Sequence, residues 1–158
     1  MQARLKYVEG LTFIGQAGSG HWTVLDSSHG GRTSGATSPM EMVLLALMGC
    51  SAMDVVSILQ KMRAPFVDLQ VEAQADRAET HPRVYTRIHL TYRVFGRGLK
   101  PEQVARAVQL SQEKYCSITA MLRSTAAITY EAWIEDPETG QKQPVTFAPK
   151  SGNALPSK

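Results

Sequence analysis

Residues 38–61, SPMEMVLLALMGCSAMDVVSILQK, constrain this chain more than any other stretch. Ser38 then Pro39 is a helix start: a hydroxyl placed to cap, then a proline whose fixed φ and missing N–H suit the first turn. Beyond Pro39 the segment has no interior proline and a single glycine, Gly49, and most positions from Met40 to Leu59 are apolar. A helix that is apolar nearly all round needs cover on most sides, so it is expected to be the buried centre of the fold. Glu41, Gly49, Ser51, Asp54, Ser57 and Gln60 break the run, which argues against a membrane span.

The rest of the chain supplies the cover. Arg4–Val8 alternates, Leu11–Gly15 is rich in β-formers, and Gly10 lies between them, so the pair reads as a hairpin followed by a third strand over His21–Asp26. Ser27–Thr37 reads as a connector. Its paired glycines lack the Gly-Lys-Ser/Thr of a phosphate cradle. After Pro65, Val67, Leu69, Val71 and Ala73 alternate with polar residues. Val84–Phe95 then forms a second long strand, with Val84, Thr86, Ile88, Leu90, Tyr92 and Val94 on one face and Tyr85, Arg87, His89, Thr91 and Arg93 on the other. Pro101 opens a helix with Val104, Ala105, Val108, Leu110 and Ser111 on its apolar face, running out near Tyr115-Cys116. Ser117–Leu122 is a short helix and Ala126–Glu135 a closing strand. Segregated strands and helices point to an α+β fold with mainly antiparallel sheet. The expected domain spans residues 1–136, and residues 137–158 form a polar tail, expected to be mobile beyond Phe147. One sheet covers only one side of the central helix, so a partner's helix packed alongside, in a homodimer, is expected to cover the other.

The 43% of hydrophobic residues among 158 is enough for a single core. The net charge of +3 and the pI of about 9.0 come without a Lys/Arg cluster interleaved with aromatics, which leaves nucleic-acid binding with little support. The N-terminal residues lack the apolar core of a signal peptide. With two cysteines this points to the reducing cytoplasm, where a disulfide would be transient and catalytic.

Cys50 shares a helix face with Asp54, Ser57 and Lys61, the most polar stripe of its helix. A thiol there is better placed for chemistry than one in an apolar shell, although free cysteines also pack as small hydrophobes. Asp54 disfavours the thiolate, and Cys50 is too far from the helix N-terminus for the dipole to act on it. Activation then needs a cation, with Arg32 the loop candidate and Lys61 a distant one. Cys116 begins a short helix, where backbone donors favour thiolate, so elementary physics selects Cys116 as nucleophile. Glu113 reads as a solvated helix residue. His21, His29, His81 and His89 have no metal-ligand spacing. The methionines at 40, 42, 48, 53, 62 and 121 read as core filler or as the lining of an apolar channel.

The Ser38-Pro39…Cys50 helix, followed by Glu113-Lys114-Tyr115-Cys116-Ser117-Ile118-Thr119 and a strand, resembles the OsmC/Ohr family of osmotically induced and organic-hydroperoxide-resistance proteins, and most of all its YhfA-like branch. The likeness covers residues 1–136 in element order. It implies an intertwined homodimer with two active sites at the subunit interface. It also implies a thiol peroxidase that reduces organic hydroperoxides: Cys50 attacks, Cys116 resolves the sulfenic acid as a disulfide, and a dithiol or lipoylated protein restores the pair. No metal or organic cofactor is implied. The peroxidase branches carry a glutamate directly after the helix-opening Asn-Pro, paired with an arginine from near the N-terminus. Here Met40 follows Pro39 and Glu41 comes one residue late. At about 100° per residue, Glu41 should point away from the thiol nine positions on. That departure leaves a second reading, a non-enzymatic redox-sensing or small-molecule-binding dimer on the same fold.

Overall fold

A computed structural model describes residues 1–148, so the end of the expected tail, residues 149–158, lies outside the described residues. The chain forms two compact units, Met1–Ala46 and Leu47 onward.

The first unit is a three-stranded antiparallel sheet, β1 (Ala3–Glu9), β2 (Thr12–Ala17) and β3 (Trp22–Leu25), in that order. Gly10, at φ 53°, supplies the left-handed residue that closes the β1–β2 hairpin. The connector after β3 is more than a spacer, because it folds around one carboxylate. Asp26 is 2% exposed and accepts the N–H groups of Ser27 (2.8 Å) and Gly35 (2.9 Å) and a bond from Arg32 Nη2 (3.2 Å). Gly30 and Gly31, both at positive φ, turn the chain so that the Arg32 N–H reaches the His29 carbonyl. The loop delivers Ser38 to α1 (Pro39–Lys61). Ser38 Oγ accepts the Glu41 N–H at 3.3 Å, while the Glu41 carboxylate accepts the Ser38 N–H at 2.8 Å and its hydroxyl at 2.6 Å, a reciprocal capping box.

The second unit is a four-stranded sheet of β4 (Asp68–Arg77), β5 (Tyr85–Phe95), β6 (Ala127–Glu135) and β7 (Lys142–Pro144). The α+β class expected from the sequence is the one adopted, but the sheet is mixed. β4–β5 and β6–β7 are antiparallel, whereas β6 lies parallel to β5. Parallel neighbours need a long crossover, here α2 (Pro101–Leu110), a π-helical turn (Ser111–Tyr115) and α3 (Ser117–Leu122). β7 falls where the sequence reads as tail. Its three exposed residues carry no apolar pattern, and pairing with β6 alone makes them a strand.

The two faces of β5 also differ from strict alternation. A register shift opposite Asp76 and Arg77 buries Tyr85 and turns Thr86 outward, while Ile88, Leu90, Tyr92 and Val94 stay on the core face. They pack in a core that includes Ile128, Ala132 and Ile134 of β6 and Val104, Ala107 and Val108 of α2. Within the chain, α1 is not the enclosed helix that its composition demands. It buries one i, i+4 stripe, Leu47, Ser51, Val55 and Leu59, and leaves Met53 75% exposed. By length and composition it is long and apolar enough to cross a membrane, and 22% of its most apolar window is buried.

Candidate active site

Cys50 lies half-buried on α1, and Asp54 comes one turn later on the same face. Cys116 sits at the junction between the π-helical turn and α3. The turn is one residue wider than an α-helix, and its last bond runs from the Cys116 N–H to the Ser111 carbonyl at 2.9 Å. Cys116 then leaves helical geometry (φ −69°, ψ 104°) and caps α3, its sulfur accepting the Thr119 N–H at 3.4 Å. The result is a cluster in which Cys50 Sγ, Cys116 Sγ and a carboxylate oxygen of Asp54 all lie within 4.8 Å of one another. Two thiols and a carboxylate at this spacing can exchange protons, form a disulfide after a small approach, or hold a cation.

The two thiols differ in environment. Cys116 is 3% exposed, and burial pushes its thiol up from the ordinary range. The hydrogen bonds from Thr119 pull the other way, and neighbouring Cys50 raises it further. The backbone donor that makes Cys116 the nucleophile on sequence grounds is therefore present, but desolvation outweighs it. Cys50 is the thiol that remains accessible.

Around the cluster runs a buried polar network that the sequence does not announce. Ser111 Oγ donates to Asp54 Oδ2 at 3.0 Å. Ser51 Oγ lies 2.9 Å from Ser111 Oγ and 2.5 Å from Tyr92 Oη. Gln112 Nε2 donates to both Ser51 Oγ (3.0 Å) and Tyr92 Oη (2.8 Å), and Gln112 Oε1 accepts from the Thr119 hydroxyl at 3.3 Å. A carboxylate can only accept. With Asp54 ionised the donors then have one order: Gln112 to Tyr92, Tyr92 to Ser51, Ser51 to Ser111, Ser111 to Asp54. Burial pushes the Tyr92 phenol up to about 12, against the hydrogen bonds of Ser51 and Gln112, so it stays a neutral donor. The network ties α1, β5, the π-helical turn and α3 together and holds both cysteine-bearing segments. The one sequence signal for it is Ser51, a serine in an otherwise aliphatic buried stripe.

Arg32, the loop cation, is engaged in the first unit. It lies 3.2 Å from Asp26 Oδ2 and from Thr12 Oγ1, and 3.7 Å from Glu9. Glu41 is taken up by the capping box, and Glu113 is exposed, as expected of a solvated residue. A cleft of about 420 Å³ lined by Gly96, Leu99, Ile134 and Gln143 contains neither cysteine.

The pattern of the OsmC-like proteins matches residues 30–131, a span holding both cysteines. The chain belongs to the OsmC-like family. It is 54% identical over 130 residues to protein YhfA of Escherichia coli K12, covering 82% of this chain and 95% of the relative. A solved hypothetical protein from Aquifex aeolicus VF5 superposes with a TM-score of 0.72 at 29% identity, covering 85% of this chain and 96% of the other. The organic hydroperoxide resistance protein OhrB of Bacillus subtilis does so with a TM-score of 0.57 at 16% identity, covering 84% and 98%, and shares the fold.

Proposed function

We propose that this protein is a thiol-dependent peroxidase that reduces organic hydroperoxides through Cys50 and Cys116. The observation that carries the reading is the approach of an accessible sulfur and a buried one, on separate elements, beside Asp54. The family, and fold neighbours that include an organic hydroperoxide resistance protein, supply the substrate class.

The Cys50 thiolate attacks one oxygen of ROOH and the O–O bond breaks. The alcohol leaves with a proton, and Cys50 becomes a sulfenic acid. Cys116, as thiolate, then attacks that sulfur, the S–S bond forms and water leaves. The substrate is thereby reduced by two electrons that the two sulfurs supply. An external dithiol, free or on a lipoylated protein, returns the electrons. A buried Cys116 suits the second role, since it is screened from peroxide and faces Cys50. The accessible sulfur suits the first.

The cation that favours the Cys50 thiolate is proposed to be Arg32. Relatives with peroxidase activity fix such an arginine with a glutamate after the helix-opening proline. Met40 takes that position here, and the buried Asp26 is the carboxylate that holds Arg32. Weaker peroxidase activity than in those relatives is expected from this altered anchor. A working homodimer in the cytoplasm completes the reading.

The test is consumption of cumene hydroperoxide with several dithiols, including a lipoylated protein. Wild type should turn over. Cys50→Ser should be inactive. With no dithiol present, Cys116→Ser should take up one equivalent of peroxide and stop as a sulfenic acid that a dimedone probe traps, and Arg32→Ala should slow the first attack. Wild type that consumes no peroxide with any reductant sinks the enzyme reading. The altered anchor would then favour a redox-sensing or small-molecule-binding dimer, recognised by a stoichiometric Cys50–Cys116 disulfide without turnover.

A further inference from the structure

We infer that the reduced Cys50–Asp54–Cys116 cluster is a binding site for one zinc-type divalent cation per chain. Its three donors come from two directions, Cys50 and Asp54 from one face of α1 and Cys116 from the junction before α3, and their ligand atoms already lie within 4.8 Å of one another. Bonds of about 2.3 Å to sulfur and 2.1 Å to oxygen in tetrahedral geometry place such donors about 3.6–3.8 Å apart. Each pair therefore needs to close by about 1.2 Å at most. Two thiolates and one carboxylate are a borderline-soft set, which selects zinc-like ions over magnesium or calcium.

The surroundings match such a site. Ser111 Oγ donates to Asp54 Oδ2 at 3.0 Å, leaving the other carboxylate oxygen for an ion and fixing the orientation of the group, as outer partners do for metal-binding carboxylates. The Thr119 N–H on Cys116 Sγ does the same for the buried sulfur. Cys50 and Asp54, both half-buried, leave a way in and a fourth position for water. A bound ion holds the sulfurs about 3.8 Å apart, whereas a disulfide needs about 2.05 Å. The ion and the disulfide therefore exclude each other, and a loaded site keeps both thiolates out of redox chemistry. This binding does not depend on peroxidase activity.

The experiment adds Co²⁺ and then Zn²⁺ to the reduced, tag-free full chain. One Co²⁺ per chain should bind with a thiolate-to-cobalt charge-transfer absorption that Zn²⁺ abolishes by displacement. Cys50→Ser and Cys116→Ser should each lose the absorption, and Asp54→Asn should weaken binding by tenfold or more. Wild type alkylated with iodoacetamide should lose it too, which covers the case of a cysteine variant that does not fold. Co²⁺ uptake without charge-transfer absorption, or uptake unchanged by alkylation, would mark the histidines or surface carboxylates as the ligands and overturn the site. Peroxide consumption is read separately, so the metal site and the enzyme reading can fail independently.

Discussion

At the scale of single residues, the site rests on groups that differ greatly in how visible they are in the sequence. Two cysteines in 158 residues, one on a polar helix stripe, are conspicuous. Tyr92, Ser111, Gln112 and Thr119 are common letters whose meaning comes only from being brought together and buried, and of the network Ser51 alone, a serine among the aliphatic residues of its stripe, gives a sign in the sequence. Gln112 joins Ser51, Tyr92 and Thr119. Replacing it with leucine leaves the Thr119 hydroxyl without its acceptor and removes two donated bonds from Ser51 and Tyr92. An unsatisfied buried group costs about 1–3 kcal/mol, so Gln112→Leu is expected to lower unfolding free energy by about that amount in urea denaturation. Because the network seats the Cys116 turn, the variant should also slow disulfide formation after peroxide is added while leaving the first attack by Cys50 unchanged. Stopped-flow single turnovers separate the two steps. Equal slowing of both would mean that Gln112 does not act through Cys116.

At the scale of elements, the sequence states most boundaries in local chemistry: Ser38-Pro39 and Pro101 at helix starts, and Gly10 at a turn. It hides what depends on partners. β7 exists because β6 has an edge to offer, and the tie is electrostatic as well as backbone. Glu135 of β6, with 8% of its side chain exposed, is bound by Arg93 of β5 through Nε (2.5 Å) and Nη2 (2.9 Å) and by Lys142 of β7 at 3.4 Å. The Arg93 hydrogen bonds, foremost, and then Lys142 hold the Glu135 carboxyl below the usual range, against the opposing effect of its burial. A carboxyl lowered in the folded state binds its proton more readily in the unfolded chain. Its stabilisation is therefore whole above the unfolded value of about 4.3 and is lost as pH falls through the lower folded value. Glu135→Gln should be less stable than wild type near neutrality, and its stability should fall less steeply on acidification below about pH 4.5. Parallel acid limbs for the two proteins in denaturation midpoints against pH would contradict this.

For the whole molecule, composition and structure pull apart in a way that points to a second copy. The sequence of α1 asks for burial on most sides, yet the chain itself fully buries only one stripe, leaves most of the other positions half-buried, and leaves Met53 75% exposed. The first unit shows the same imbalance. Every residue of β1 is exposed, including Leu5 and Tyr7, each at 58%, and Trp22 of β3 is 56% exposed. Lipid is a poor occupant for α1, because its Ser51 and Asp54 are taken up by Tyr92, Ser111 and Gln112 of the same unit. A second copy of the chain offers the same apolar surfaces in return, and stable symmetric interfaces commonly bury about 1,200–2,000 Å² or more. The protein should therefore sediment as a dimer at micromolar concentration. Met53→Glu places a charge on the uncovered face of α1 without touching the buried stripe, so its far-ultraviolet circular dichroism should match wild type while its dimer dissociates at protein concentrations at least tenfold higher. Peroxide turnover per chain should then fall with dilution in step with the dimer fraction. Wild type that sediments as a fully structured monomer would remove the dimer from the proposed function. A Met53→Glu variant as tightly dimeric as wild type would move the interface from α1 to the β1–β3 sheet.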